Sequence, residues 1–247
     1  MAWLLIDNSN TRTKFALGNS AGLLAWRHTT ATAEISSTAL AAITAGVEFS
    51  AVIVCSVVPT TAAILQDFFA PRYPLHFLSH DSPLGMGIDY PLVAQIGADR
   101  LANAVGVVAR HGAPAIVIDF GTAVTFDVIS AQPAYCGGVI APGLGAMSAY
   151  LPQKTALLPL IELVEPATAI GKSTVHAMQV GAVFGYRGLV KEIIARIRLE
   201  LPGHPRIIAT GGDAALIARG VPEIEVVDPD ITLDGLRQVA VRVFGDN

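Results

Sequence analysis

The chain has little charge, few aromatic rings and almost no sulfur. Of its 247 residues, 15% are charged, 6% are aromatic and two are cysteines. Low charge combined with 52% apolar residues excludes a disordered chain. The length suffices for one large domain or two small ones with a buried core. The formal net charge is −4, and Lys and Arg form no block. An extended nucleic-acid surface is therefore not expected, whereas a local anion pocket remains compatible. Cys55 and Cys136 have neither a Cys-x-x-Cys partner nor a His cluster beside them, which leaves buried, reduced thiols as the expectation. Mean hydropathy is positive, yet no apolar run reaches the roughly 18 residues of a membrane span. The opening apolar run meets Asp7 at once and lacks a basic start, so no signal peptide is expected. A cytoplasmic protein without a membrane partner is the reading.

What is present is a repeat. Trp3-Leu-Leu-Ile6 is an apolar run ending at Asp7, followed by the polar turn Asn8-Ser9-Asn10 and the alternating stretch Thr11 to Leu17. The turn-rich Gly18 to Gly22 then leads to a third strand over Leu23 to His28. A helical segment near 33–45, a buried-type strand over Ala51 to Val57, a short helix from Thr60 and a strand over Leu75 to Leu78 follow. The segment 79–96 reads as loop and Gly97 to Arg110 as helix. Then Ala115-Ile-Val-Ile-Asp119, the turn Phe120-Gly121 and the strand Thr122 to Ile129 repeat the opening, with Tyr135 to Ala141 as third strand. Helices near 143–151 and 173–198, a strand at Arg206 to Ala209, a helix after Gly212, a strand at Ile224 to Val227 and a helix from Thr232 complete the chain. The period predicts a duplicated βββαβα unit, with domains over 1–111 and 112–247.

A single aspartate at a strand end can simply initiate its own turn. Two copies admit more. Facing hairpins can cradle phosphates with turn N–H groups and Thr hydroxyls, while the carboxylates hold a hydrated Mg²⁺ that takes few protein ligands. Phosphoryl transfer from ATP uses such positioning and charge neutralisation. Lys14, in the strand after the first turn, is either a solvated lysine or a phosphate ligand. Thr210-Gly-Gly-Asp213 is a strand-to-helix turn whose glycines, Gly211 and Gly212, let a ring or ribose approach the backbone. By analogy of pattern, the expected fold is α/β: the duplicated actin-like, RNase H-like ATPase fold of actin, hexokinase and Hsp70-type chaperones, with a nucleotide cleft between its halves. Gly97-Ala-Asp-Arg100 opens a helix, where anions are favoured. Asp99 and Arg100 there are either a dipole-complementing carboxylate and a salt bridge, or a general base and an anion clamp.

Other spellings fail. Gly171-Lys-Ser173 has Pro166 where a P-loop needs its first glycine. Gly18-Asn-Ser-Ala-Gly22 lies in a hairpin turn rather than at a strand-to-helix elbow. Gly143-Leu-Gly145 lacks the third glycine of a dinucleotide site, and the six histidines show no metal-ligand spacing.

Taken together, Asp7-Asn-Ser-Asn-Thr11, Gly97-Ala-Asp-Arg100, Asp119-Phe-Gly-Thr-Ala123 with Asp127, Gly137-Gly-Val-Ile-Ala-Pro-Gly143 and Thr210-Gly-Gly212 resemble the type III pantothenate kinases in order and spacing, over almost the whole chain. The resemblance implies ATP-dependent phosphorylation of pantothenate, the first step toward coenzyme A. It implies Asp99 as base, Arg100 on the pantothenate carboxylate, and Tyr90, Gly97 and Thr174 around the acceptor. It further assigns Asp7, Asn10, Thr11, Lys14, Asp119, Thr122, Gly211 and Gly212 to ATP, its phosphates and Mg²⁺. Asp127 is implied in a site for a monovalent cation, K⁺ or NH₄⁺, and the chain in a homodimer. One position departs: Ser9 stands where the family has glycine, and a positive φ there would cost about 1 kcal/mol. Two other readings stay open, an ATP-binding regulatory or accessory protein of this fold and a kinase for another small acceptor.

Overall fold

The computed structural model describes residues 1–245. In chain order the elements are β1 (Trp3–Asn8), β2 (Arg12–Gly18), β3 (Leu23–Ala31), α1 (Ser37–Thr44), β4 (Ala51–Ser56), α2 (Pro59–Phe69), β5 (Leu75–Phe77), β6 (Gly87–Ile88) and α3 (Ala98–His111). The second series is β7 (Ala115–Phe120), β8 (Ala123–Ile129), β9 (Ala134–Pro142), α4 (Leu144–Lys154), α5 (Thr174–Glu200), β10 (Arg206–Gly211), α6 (Ala214–Ala218), β11 (Val226–Val227) and α7 (Ile231–Phe244). Three consecutive strands followed by helix and strand occur twice, as the repeat predicts.

The chain divides into two compact units. The first holds Met1–Gly112, Pro133–Tyr135 and the stretch from Asp230 onward; the second holds Ala113–Gln132 and Cys136–Pro229. Domains cut at 111/112 would leave the last helix with the second half. The units differ because α7 packs along α3. A Cβ on Gly235 would run into the Ala102 carbonyl, and one on Gly106 into the Ile231 carbonyl, so both glycines permit helix backbones to touch. Thr232 donates to the Asn103 side chain at 2.7 Å, and buried Arg237 donates to Asp234 at 2.6 Å and to the Ser20 carbonyl at 3.2 Å. No local periodicity announces such a pairing.

In the first unit the sheet order is β3-β2-β1-β4-β5. β2 runs antiparallel to β1 and β3, whereas β4 runs parallel to β1 and β5. The apolar run of β1 is buried on both faces. Leu4 and Ile6 join Phe15, Val52, Val54, Leu40, Leu65 and Phe69 in one core cluster, and the strand period sends Leu5 and Asp7 to the other face. Ser36 caps α1 through the Ala39 N–H, and Pro59 starts α2 where its missing N–H is not needed. The segment 79–96 is not wholly loop: β6 pairs in parallel with Ala134 and Tyr135, at the start of β9.

The second unit's sheet runs β11-β10-β7-β8-β9. Ile116, Ile118 and Phe120 of β7 pack with Phe126, Tyr186, Val190, Ile207 and Ile217. The third strand of the first unit extends past His28 to Ala31, and α5 runs to Glu200. Its Ser173 cap accepts from the His176 N–H at 3.2 Å.

Candidate active site

β1 carries Asp7 to the end of a buried strand, leaving the residue only 3% exposed. Asp7 is paired in register with Lys14 across β1 and β2. Directly paired residues share a face, and the Lys14 Nζ lies 3.5 Å from Asp7 Oδ2. The turn closes through the Ser9 N–H to the Arg12 carbonyl at 3.2 Å. Ser9 also donates its hydroxyl to Asp7 Oδ1 at 2.9 Å. Every positive φ among the described residues belongs to glycine, so Ser9 carries none of the strain that its substitution for glycine raised. Beneath the turn, Asn8 is fixed by Thr13 at 2.8 Å and by the Ser56 hydroxyl at 2.7 Å. Asn10 and Thr11 are exposed at the tip above this buried polar base. A rigid base with an open tip suits a phosphate ligand.

Asp99 and Arg100 occupy the first turn of α3, with Gly97 as N-cap. The Asp99 carboxyl folds back to accept from the Arg100 N–H at 2.8 Å. A Cβ on Gly97 would meet Asp99 Oδ1 at 2.5 Å, so glycine makes room for the carboxyl. Burial pushes the Asp99 pKa up and the nearby Asp7 charge adds to this, against the Arg100 N–H and guanidinium, which pull it down. A carboxyl with raised pKa is a better proton acceptor than an ordinary surface aspartate. Arg100 lies over the Tyr135 ring, its Cζ 5.7 Å from the centroid. Tyr90 meets the same ring at 6.1 Å and 73°, edge to face. Tyr135, 1% exposed, was not among the sequence candidates. Its neighbourhood is made by tertiary contact, and nothing local to it distinguishes it from a core strand tyrosine.

In the second unit β7 delivers Asp119 to the corresponding strand end. Asp119 is in register with Thr125 on β8 and Thr210 on β10. Gly211 has φ +92°, and a Cβ there would lie 2.6 Å from both Asp119 Oδ1 and the Phe120 backbone. Glycine is required at this position on both counts. Gly212 is the next residue and has open space around it. Thr122 is exposed in the β7–β8 turn, which is braced by Gly121 N–H to Ala123 O and Gly143 N–H to Thr122 O, each 3.1 Å. Asp127 is fully buried, on the same face of β8 as Thr125, whose hydroxyl donates to it at 3.5 Å. Asp213 follows the glycine pair; burial raises its pKa, and burial together with the Asp213 charge lifts Tyr186 to about 12. Thr174 begins α5 and lines a cavity of about 900 Å³ with Met147, Tyr150, Leu151 and Met178.

The first unit thus gathers Asp7, Lys14 and Asp99 by charge and hydrogen bonding, and Tyr90 and Arg100 around Tyr135. The second gathers Asp119, Thr122 and Gly211 at one sheet end and sets Asp127 one rung deeper. Among the described residues no group of three or more His, Cys, Asp or Glu could hold a metal. The single buried carboxylate of Asp7 at the strand end fits a divalent ion such as Mg²⁺, which binds through one or two carboxylates, substrate phosphates and water. No helix of the described residues is long and apolar enough to cross a membrane.

Comparison with known proteins adds the family. The family model for type III pantothenate kinase matches residues 3–196. A type III pantothenate kinase from Akkermansia muciniphila is 60% identical over 240 residues, covering 97% of this chain and 98% of the relative. Among solved structures, a Campylobacter jejuni protein assigned to the Baf family of transcriptional activators superposes with TM-score 0.63 at 18% identity, over 97% of this chain and 98% of that one. A Sinorhizobium meliloti protein assigned as a 2-dehydro-3-deoxygalactonokinase gives TM-score 0.62 at 13% identity, over 99% and 98%. At such identities these two speak for the fold alone, which is the duplicated actin-like ATPase fold. From the matched motifs, the whole-length identity and that fold, the chain belongs to the type III pantothenate kinase family.

Proposed function

We propose that this chain transfers the γ-phosphoryl group of ATP to the primary hydroxyl of pantothenate, giving 4′-phosphopantothenate and ADP at the entry to coenzyme A synthesis. The observation that carries the reading is Asp99: a carboxyl at a helix start, given room by Gly97, with its pKa raised by burial and by Asp7. As the acceptor oxygen bonds to the γ-phosphorus, Asp99 takes the hydroxyl proton and the bond from phosphorus to the β,γ-bridging oxygen breaks. Arg100 pairs with the pantothenate carboxylate, and Tyr90, Gly97 and Thr174 shape the acceptor's surroundings. Lys14, Asn10 and Thr11 bind phosphate oxygens, as do Thr122 and the neighbourhood of Asp119. Gly211 and Gly212 admit the nucleoside close to the backbone. Asp7 is the ligand for Mg²⁺, which supplies neutralisation of charge on the phosphates. Asp127, with the Thr125 hydroxyl, offers oxygen donors to K⁺ or NH₄⁺.

The setting is proposed to be the cytoplasm, and the chain a homodimer. Met147 at 43%, Tyr150 at 58% and Leu151 at 38% exposure on α4 line one apolar cavity with Ala177 and Met178 of α5, more than scattered single residues require. Sedimentation equilibrium at micromolar protein should give twice the chain mass; a stable monomer would remove the dimer.

The kinase reading is tested by incubating purified protein with ATP, Mg²⁺, K⁺ and a panel of small alcohols. Phosphopantothenate should dominate, and omission of K⁺ and NH₄⁺ should lower the rate. Nucleotide binding without any phosphorylated acceptor would favour an accessory protein instead, and turnover of a different alcohol would reassign the acceptor.

A further inference from the structure

We propose that Tyr135 is a positioning residue for recognition of the acceptor's carboxylate, acting through Arg100 and Tyr90. The proposal rests on the reading of those two residues as acceptor-binding. Tyr135 is 1% exposed, yet it is not anchored in the hydrophobic cluster of the second unit, where most of its strand lies. It belongs with the first unit, where β6 fixes its backbone: Ile88 is its register partner, and the Asp89 N–H donates to the Tyr135 carbonyl at 2.9 Å. The neighbouring Gly87 N–H donates to the Pro133 carbonyl at 2.8 Å. The same short ladder therefore places Tyr90, the residue after Asp89, against the Tyr135 ring. The ring is engaged twice, in a T-shaped contact with Tyr90 and under the Arg100 guanidinium.

This matters for a bidentate ligand. A guanidinium resting on an aromatic face keeps its in-plane N–H edges for a carboxylate, and its planar fork loses less freedom on binding when it is already held. Arg100 extends from the same helical turn as Asp99. Fixing its head thereby fixes where a carboxylate-bearing alcohol sits relative to the base. The chemical class selected is an alcohol that carries a carboxylate; a neutral analogue gains nothing from the device.

Steady-state kinetics of Tyr135→Leu, Tyr135→Phe and Arg100→Ala, each with pantothenate and with its carboxyl-free alcohol analogue, test this. Tyr135→Leu should raise KM for pantothenate on the order of tenfold, with kcat at saturating pantothenate and KM for ATP close to those of the unmodified enzyme. Tyr135→Phe, which keeps the ring, should restore the KM. With the neutral analogue, Tyr135→Leu and the unmodified enzyme should behave alike. Should the leucine variant fail to fold, Tyr135→Met fills the buried position with a flexible apolar chain and is measured in its place. An unchanged pantothenate KM in Tyr135→Leu alongside a raised one in Arg100→Ala would overturn the role of Tyr135. So would an equal loss in Tyr135→Phe, or an equal loss on the neutral analogue. If Arg100→Ala leaves the pantothenate KM unchanged, the acceptor assignment itself falls, and this proposal with it.

Discussion

The role proposed for Asp99 needs a carboxyl buried enough to be basic and open enough to reach a hydroxyl. Its raised pKa carries a stability consequence of definite sign. The folded state holds its proton to higher pH than the unfolded chain, so protons bound in the native state exceed those in the unfolded state between the two pKa values. Stability therefore falls as pH rises through that window, and above it the ionised carboxylate is a net burden on the fold. Asp99→Asn keeps an oxygen for the Arg100 N–H and should raise the urea midpoint at pH 7, with the gain vanishing at a pH below the unfolded pKa. An unchanged or lowered midpoint at pH 7 would contradict the burial argument. The acid limb of kcat/KM should likewise lie above the ordinary aspartate range. The placement of Asp99, Arg100 and Asp7 at element ends was legible in the sequence because each sits at a boundary between a regular element and a turn. Tyr135 was not: it is one more tyrosine opening a strand, and its partners lie 45 and 35 residues earlier at Tyr90 and Arg100. Ser9 shows the converse, a departure from the family motif that the backbone absorbs without a positive φ.

At the scale of elements, what holds α3 and its first-turn Asp99 in place is the contact of α3 with α7. Glycine in a helix interior is unfavourable by about 1 kcal/mol relative to alanine, so Gly106 and Gly235 persist against propensity. Each faces a carbonyl of the other helix at a distance where no methyl fits. Gly235→Ala should therefore destabilise the chain by about 1–3 kcal/mol, as overpacking does, despite its better propensity. It should also reduce kcat, since separation of α7 from α3 disturbs the helix whose first turn carries Asp99. Equilibrium unfolding and kinetics on the same preparation decide the matter; a stabilised, fully active variant would contradict the packing account. Strands β1 and β7 were easy to read because their buried apolar runs end abruptly in aspartate. The short β6 was not, because Gly87-Ile88 has no pattern of its own and becomes a strand only by pairing with Ala134 and Tyr135.

At the scale of the whole molecule, duplication was legible and the assignment of segments to units was not. Local order repeats, so period detection found it. Membership in a unit is decided by long-range packing, which returns Pro133–Tyr135 and α7 to the first unit. Asp7, Lys14, Asp99 and Arg100 lie in the first unit, and Asp119, Thr122, Asp127 and the Gly211-Gly212 pair lie in the second. Family membership and whole-length identity bring pantothenate into view, and activation of its hydroxyl by the Asp99 carboxyl is the proposal that remains to be measured. The most direct test joins the two. In a rapid-quench, single-turnover experiment with ATP, Mg²⁺, K⁺ and pantothenate, the unmodified chain should form 4′-phosphopantothenate. Asp99→Asn should form it some 10²–10⁴-fold more slowly, with ATP binding retained. Absence of the product from the unmodified chain, or an undiminished rate in Asp99→Asn, would contradict the account.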